Sequence, residues 1–300
     1  MASPDRFRER LASGLPLLLD AAMGTELDRG GVRTTLPLWS AWALLEAPEA
    51  VFAIHGEAVA AGADVLTANT FRTHRRSLAK AGLGERAREL TARAVALARR
   101  AAGRASREIF VAGSLSPLED CYRPELAPEE SALLAEHLEQ AEALASTGVD
   151  LILAETHNSV RELSAAVCAA RQTRLPVVAS MVTDGQGRLL SGEPLDEAAR
   201  EIGHLSPDAV AINCVPAALL SGDLALVARA LPGSPLGAWG NLGPPCDAEQ
   251  TKFTAEVSPG EYAAFARDWL ALGARLVGGC CGTTAAHTAA LRAMLDSGSS

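Results

Sequence analysis

Lysine is almost missing from this chain. Of its 27 basic residues only Lys80 and Lys252 are lysine, so chemistry that depends on a buried Schiff-base lysine has very few candidates. No uninterrupted apolar run reaches about 18 residues, and the charged stretch 1–10 leads into no apolar segment of signal-peptide type. A membrane span and export by such a leader are therefore not expected, and the sequence reads as cytoplasmic. A net charge of -9 disfavours a nucleic-acid partner, because phosphate backbones are bound by clustered Lys and Arg. Six cysteines in 300 residues do not form the dense framework of a small secreted domain, so reduced thiols are expected. No G-x-G-x-x-G follows the first strand-like run and no Walker sequence occurs, which removes the usual markers of a doubly wound nucleotide-binding sheet.

What the chain does have is repetition. With 48% hydrophobic residues it can bury one large core. Short β-prone runs at 16–22, 64–71, 109–114, 151–156, 176–182, 209–215, 236–241 and 275–280 alternate with stretches of helical spacing at 48–61, 75–102, 128–147, 160–172, 195–203, 218–230, 259–272 and 285–295. Eight βα units predict an α/β fold, a single-domain (β/α)8 TIM barrel over residues 1–295 followed by a disordered tail, 296–300. Three long connections, 24–47, 115–127 and 242–258, all follow strands. In such a barrel they gather at the C-terminal face, where active sites of this fold lie.

Cys214 ends the sixth strand and Cys280 and Cys281 end the eighth, flanked by Gly278, Gly279 and Gly282. Glycines let the backbone turn so that neighbouring sulfurs can face one ion, and three thiolates suit zinc while leaving its fourth position open. Spacing alone leaves this balanced against three small buried apolar side chains. For Cys121, Cys168 and Cys246 the buried apolar reading is preferred. His74, His157, His204 and His287 follow no metal-ligand spacing.

The motifs at 20–27 (DAAMGTEL), 37–40 (PLWS), 62–71 (GADVLTANTF), 154–156 (AET), 213–214 (NC), 240–243 (GNLG) and 278–284 (GGCCGTT) run in order along nearly the whole chain. Together they resemble the homocysteine S-methyltransferases. That resemblance implies a barrel carrying Zn2+ on Cys214, Cys280 and Cys281, with homocysteine as acceptor and no obligatory protein partner. It implies that Asp20 and Glu155 hold the substrate ammonium, and it brings Gly24 and Thr25 into the substrate site.

Bound to zinc as a thiolate, the acceptor sulfur is reactive at neutral pH, where a free thiol, titrating near pH 8.5, is mostly protonated. It then displaces a methyl group from a positively charged donor. An indole face attracts such a cation, which makes Trp39 the leading donor residue. Asn69 and Asn241, placed after strands two and seven, are candidates for fixing polar ligand groups. The PLWS motif and compact length favour S-methylmethionine as donor, with S-adenosylmethionine second. Betaine, a methyl-corrinoid partner, another thiol or selenol acceptor, or a non-catalytic zinc-binding barrel are the alternatives. Three segments depart from the family pattern: Asp20-Ala21-Ala22 replaces Asp-Gly-Ala, Trp239-Gly240-Asn241 replaces Tyr-Pro-Asn, and the loop after strand three reads SLSPLEDCY.

Overall fold

A computed structural model of the chain describes residues 4–244 and 257–297. Its strands are β1 (Leu17–Leu18), β2 (Val65–Ala68), β3 (Phe110–Leu115), β4 (Leu151–His157), β5 (Val177–Met181), β6 (Ala209–Pro216), β7 (Leu236–Asn241) and β8 (Ala274–Gly279). All seven strand pairings are parallel, in the order β1-β8-β7-β6-β5-β4-β3-β2. The ring closes where Leu19 bridges Val65, with Asp20 N–H donating to Val65 O at 3.0 Å. This is the (β/α)8 barrel predicted from the alternation.

The helices are α1 (Pro4–Ala12), α2 (Met23–Arg29), α3 (Ala43–Glu46), α4 (Pro48–Ala60), α5 (Arg75–Ala79), α6 (Ala87–Ala102), α7 (Glu130–Ser146), α8 (Val160–Gln172), α9 (Leu195–His204), α10 (Ala217–Ala230), α11 (Pro259–Ala271) and α12 (Ala285–Ser297). Period-two alternation divides the strand side chains. Leu17, Leu19, Phe110, Ala112, Leu151, Leu153 and Leu276 fill the barrel interior, while Leu18, Val111, Ile152 and Val277 pack outward against the helices. Inside the N-terminal end sits α1. Its Phe7, fully buried, meets Phe110 edge-on with ring centroids 5.5 Å apart.

Several elements differ from expectation. The first connection, predicted as a loop, carries α2, a 3-10 turn (Trp39–Trp42) and α3. The single helix expected over 75–102 is two, because Gly82 takes a φ of 73° and interrupts it before a 3-10 turn at Gly84–Arg86. Asp296 and Ser297, assigned to the tail, belong to α12, where Asp296 pairs with Arg292 one turn back. The remaining residues of the expected tail, 298–300, lie outside the described residues, as does Cys246. Among the described residues no helix is long and apolar enough to cross a membrane.

Candidate active site

The mouth is shaped by irregularities at the C-terminal ends of β4 and β6. The β4–β5 register shifts between Ala154 and His157, and the β6–β7 register between Asn213 and Pro216. Within the shifts Thr156 and Cys214 adopt φ values of 65° and 61°. Left-handed backbone is uncommon away from glycine and persists only where surrounding bonds enforce it. Asn213 is the enforcer. Its Oδ1 accepts the Thr156 N–H at 3.0 Å and the Ser180 hydroxyl at 2.7 Å, and its Nδ2 donates to Thr156 Oγ1 at 2.8 Å. The two bulges are thereby laced together, one re-aiming the segment around Glu155 and the other the Cys214 side chain.

The third and fourth corners come from β8. After Cys281 the chain turns at Gly282 (φ 86°), and Cys280 N–H donates to Gly240 O at 2.9 Å. Cys214 Sγ lies 3.3 Å from Cys280 Sγ and 3.8 Å from Cys281 Sγ, and the three sulfurs all fall within 4.8 Å of one another. A tetrahedral zinc with bonds of about 2.3 Å has S···S edges of about 3.8 Å, so the donor set fits that ion in chemistry and in spread. Hydrogen bonds from Cys214 and Cys281 concentrate the trio's negative charge on Cys280, whose thiol is held well below its usual range while the other two are pushed up. Asn213 Nδ2 stands 4.0 Å from Cys280 Sγ, and the Tyr122 hydroxyl 3.2 Å from Cys214 Sγ.

These sulfurs open on a cavity of about 130 Å³ that is also lined by Asp20, Gly24, Trp39, Asn69, Phe71, Glu155 and Trp239. Asp20 Oδ2 accepts the Thr67 N–H at 2.9 Å, and Glu155 Oε1 accepts the Ser114 hydroxyl at 2.5 Å. Burial pushes the Asp20 carboxyl up to about 7 and the Glu155 carboxyl up to about 8. His55 stands 3.8 Å from Asp20, but its own burial drops it to about 4, so the two do not form an ion pair. Both carboxyls are thus held at the edge of ionisation near neutral pH. A ligand ammonium entering between them would restore their charged forms.

Trp39 sits on a 3-10 turn at φ 47°, edge-on to Phe71 with centroids 6.0 Å apart. Gly24 explains the fit of the indole: a Cβ there would lie 2.3 Å from the ring. Other expected substrate residues carry internal hydrogen bonds. Thr25 does not line the cavity; its hydroxyl accepts the Gly282 N–H at 3.0 Å. Asn241 is fully buried and spends its amide on Cys281 N–H and Cys214 O, both at 3.0 Å, tying the two cysteine segments together. Asn69 lines the cavity with both amide atoms engaged by Ser40, at 2.7 and 2.9 Å.

Among the remaining cysteines, Cys121 is buried against the cavity and Cys168, expected to be buried, is exposed on α8. Of the histidines judged irrelevant to metals, His204 is exposed, and His74 and His287 are buried caps that accept from backbone N–H groups three residues away. His157 instead joins His137 and Glu162 in a second buried group whose ligand-type atoms lie within 4.8 Å of one another. Not singled out as site residues were Arg72, Ser114, Asp120, Tyr122 and Asn213, although Asn213 belongs to the NC motif at 213–214 and Ser114, Asp120 and Tyr122 to the SLSPLEDCY segment. Only the closed barrel brings them to the mouth.

Residues 17–295 match the family model described as homocysteine S-methyltransferase. The chain belongs to the homocysteine S-methyltransferase family. Membership makes it a methyltransferase and fixes the class of reaction to be sought at this mouth. Homocysteine S-methyltransferase of Escherichia coli K12 is 34% identical over 297 residues, covering 92% of this chain and 94% of its own. The YbgG homocysteine S-methyltransferase of Bacillus subtilis 168 is 30% identical, covering 89% and 90%. Among solved structures, the metallated form of the E. coli homocysteine methyltransferase MmuM superposes with a TM-score of 0.83 at 30% identity, covering 97% of this chain and 99% of that one.

Proposed function

We propose that the chain holds zinc on Cys214, Cys280 and Cys281 and transfers a methyl group from S-methylmethionine to the thiol of L-homocysteine, giving methionine. The observation that carries this reading is the placement of three convergent cysteine sulfurs and two buried carboxyls around one cavity. Zinc, when bound there, would supply the acceptor sulfur as a thiolate at neutral pH. Three protein thiolates make that centre electron-rich, so the fourth sulfur stays nucleophilic.

The chain's own residues then select and align. Asp20 and Glu155 take the homocysteine ammonium, and the cost of leaving two buried acids without a cation disfavours thiols that lack one. Trp39 and Phe71 form an aromatic wall against which a sulfonium methyl rests by cation–π attraction. Asn213 and Asn241 hold the backbone of the cysteine segments at fixed separation, so alignment rather than proton transfer is the protein's main contribution. A metallated homocysteine methyltransferase of the same architecture supports the metal assignment.

The deciding experiment is methionine formation from homocysteine with S-methylmethionine, S-adenosylmethionine or betaine, run with and without a zinc chelator. Turnover with S-methylmethionine that disappears on chelation and returns with zinc supports the proposal. Turnover with betaine alone defeats the donor, and no turnover by zinc-loaded protein defeats the reaction.

A further inference from the structure

Among the described residues that line the cavity, Arg72 is the only Arg or Lys. It follows β2 in the segment Asn69-Thr70-Phe71-Arg72 and is 7% exposed. One of its N–H groups donates to the backbone O of Glu119 at 3.1 Å, and its Nε is enclosed without any partner. No described carboxylate forms an ion pair with it, although the Asp120 carboxyl lines the same cavity. The Glu119 side chain is taken by Arg76 and Lys80, Glu136 by Arg76, and Asp120 Oδ1 accepts the Tyr122 N–H at 2.9 Å. The adjacent Arg75 and Arg76, by contrast, lie at the surface in ion pairs.

A guanidinium kept out of water with most of its donors unspent is costly unless an anion completes it, and its planar fork matches a carboxylate. Depth indicates whose carboxylate. Asp20 is level with Thr67 inside β2, whereas Arg72 lies five residues further along, tied to the loop after β3. In that outer layer its guanidinium lies 5.5 Å from the Phe71 ring centroid, and Phe71 in turn packs on Trp39. Cation-attracting rings and an unpaired cation thus share the entrance, an arrangement suited to a zwitterion with a positive methyl-bearing centre and a negative end.

We propose that Arg72 binds the carboxylate of the methyl donor, so that the donor must carry a carboxylate as well as its sulfonium or quaternary ammonium centre. This rests on the methyl-transfer reading above but is measurable by binding alone. Calorimetric titration of zinc-loaded wild-type protein, Arg72→Gln and Arg72→Lys would use S-methylmethionine, its carboxamide analogue and homocysteine separately, with turnover assayed in parallel. Wild type is expected to bind S-methylmethionine about tenfold or more tighter than the carboxamide, as befits a desolvated charge pair. Arg72→Gln should bring the two to equal affinity, Arg72→Lys should restore part of the preference, and homocysteine affinity should stay within about threefold, the scatter of a contact not made.

Equal binding of acid and carboxamide by wild type, or no binding of either, overturns the proposal even where Arg72→Gln fails to fold. So does a loss in Arg72→Gln that falls equally on both donor forms, or on homocysteine instead. A persistent acid preference in a protein that makes no methionine would sink the methyl-transfer reading while leaving Arg72 as a carboxylate anchor.

Discussion

Among the described residues, two places bring three side chains of metal-ligand type within 4.8 Å: Cys214, Cys280 and Cys281 at the mouth, and His137, His157 and Glu162 behind the loop after β3. Proximity is equal; availability is not. The cysteines face a cavity, and their backbones rather than their sulfurs are fastened by Asn241. The histidine group is sealed, with exposures of 0%, 0% and 1%. Part of its polar capacity is spent: Glu162 Oε1 accepts the Leu118 N–H at 2.8 Å and faces His137 Nε2 at 3.3 Å, and His157 Nε2 meets Leu115 O at 3.1 Å, while Nδ1 of both histidines is enclosed without a partner. That group pins the loop that carries Asp120, Cys121 and Tyr122. Free donor atoms exist in both clusters; the opening is what a site needs besides, and of the two only the cysteine group faces the described cavity.

The largest effect that bears on this contrast is expected from Cys280→Ala. It should remove zinc and all zinc-dependent turnover while circular dichroism remains that of a folded barrel, because the proposed ion would occupy an open catalytic position. Unfolding on that change would instead make the metal structural. Next comes pH. Asp20 and Glu155 keep their protons up to about 7 and 8, so below those values a ligand ammonium meets neutral acids. Homocysteine affinity, followed by calorimetry, should therefore fall by about tenfold per pH unit between 8 and 7 and by about 100-fold per unit below 7, and Glu155→Gln should flatten the upper part of the profile.

Asn213→Ala, which unlaces the bulges and removes the N–H near Cys280, should cost about 10–100-fold in zinc affinity, as loss of a ligand's supporting bond does. The smallest effect belongs to the sealed cluster. Glu162→Ala leaves the Leu118 N–H buried without an acceptor and should lower unfolding stability by about 1–3 kcal/mol in urea titration. Metal content should remain one ion per chain; a drop in zinc there would erase the distinction between the clusters.

Most of what is regular in this molecule was readable from sequence. The period-two runs mark the strands, Leu236–Asn241 to the residue, and the glycine-flanked cysteines mark one corner of the cavity. Short helices were missed where their signals are faint: α1 shows only Phe7 and Leu11 four residues apart, and α2 has Gly24 near its start. Site residues escaped for a different reason. In Arg72-Thr73-His74-Arg75-Arg76 three arginines look alike, yet one is buried at the cavity and two are solvated, a difference set by where β2 ends rather than by local composition. Asn241 and Thr25 carry the right chemistry for binding, but neighbouring backbone groups claimed it first.

The helix lodged in the N-terminal end of the barrel has a kinetic meaning. With Phe7 stoppering that end, the cavity is a blind alley served from its mouth. On the proposed roles of Asp20 and Glu155 the acceptor would enter before the donor. Such an order of arrival, visible in initial-velocity and dead-end inhibition patterns, would follow from a plug on the face opposite the chemistry.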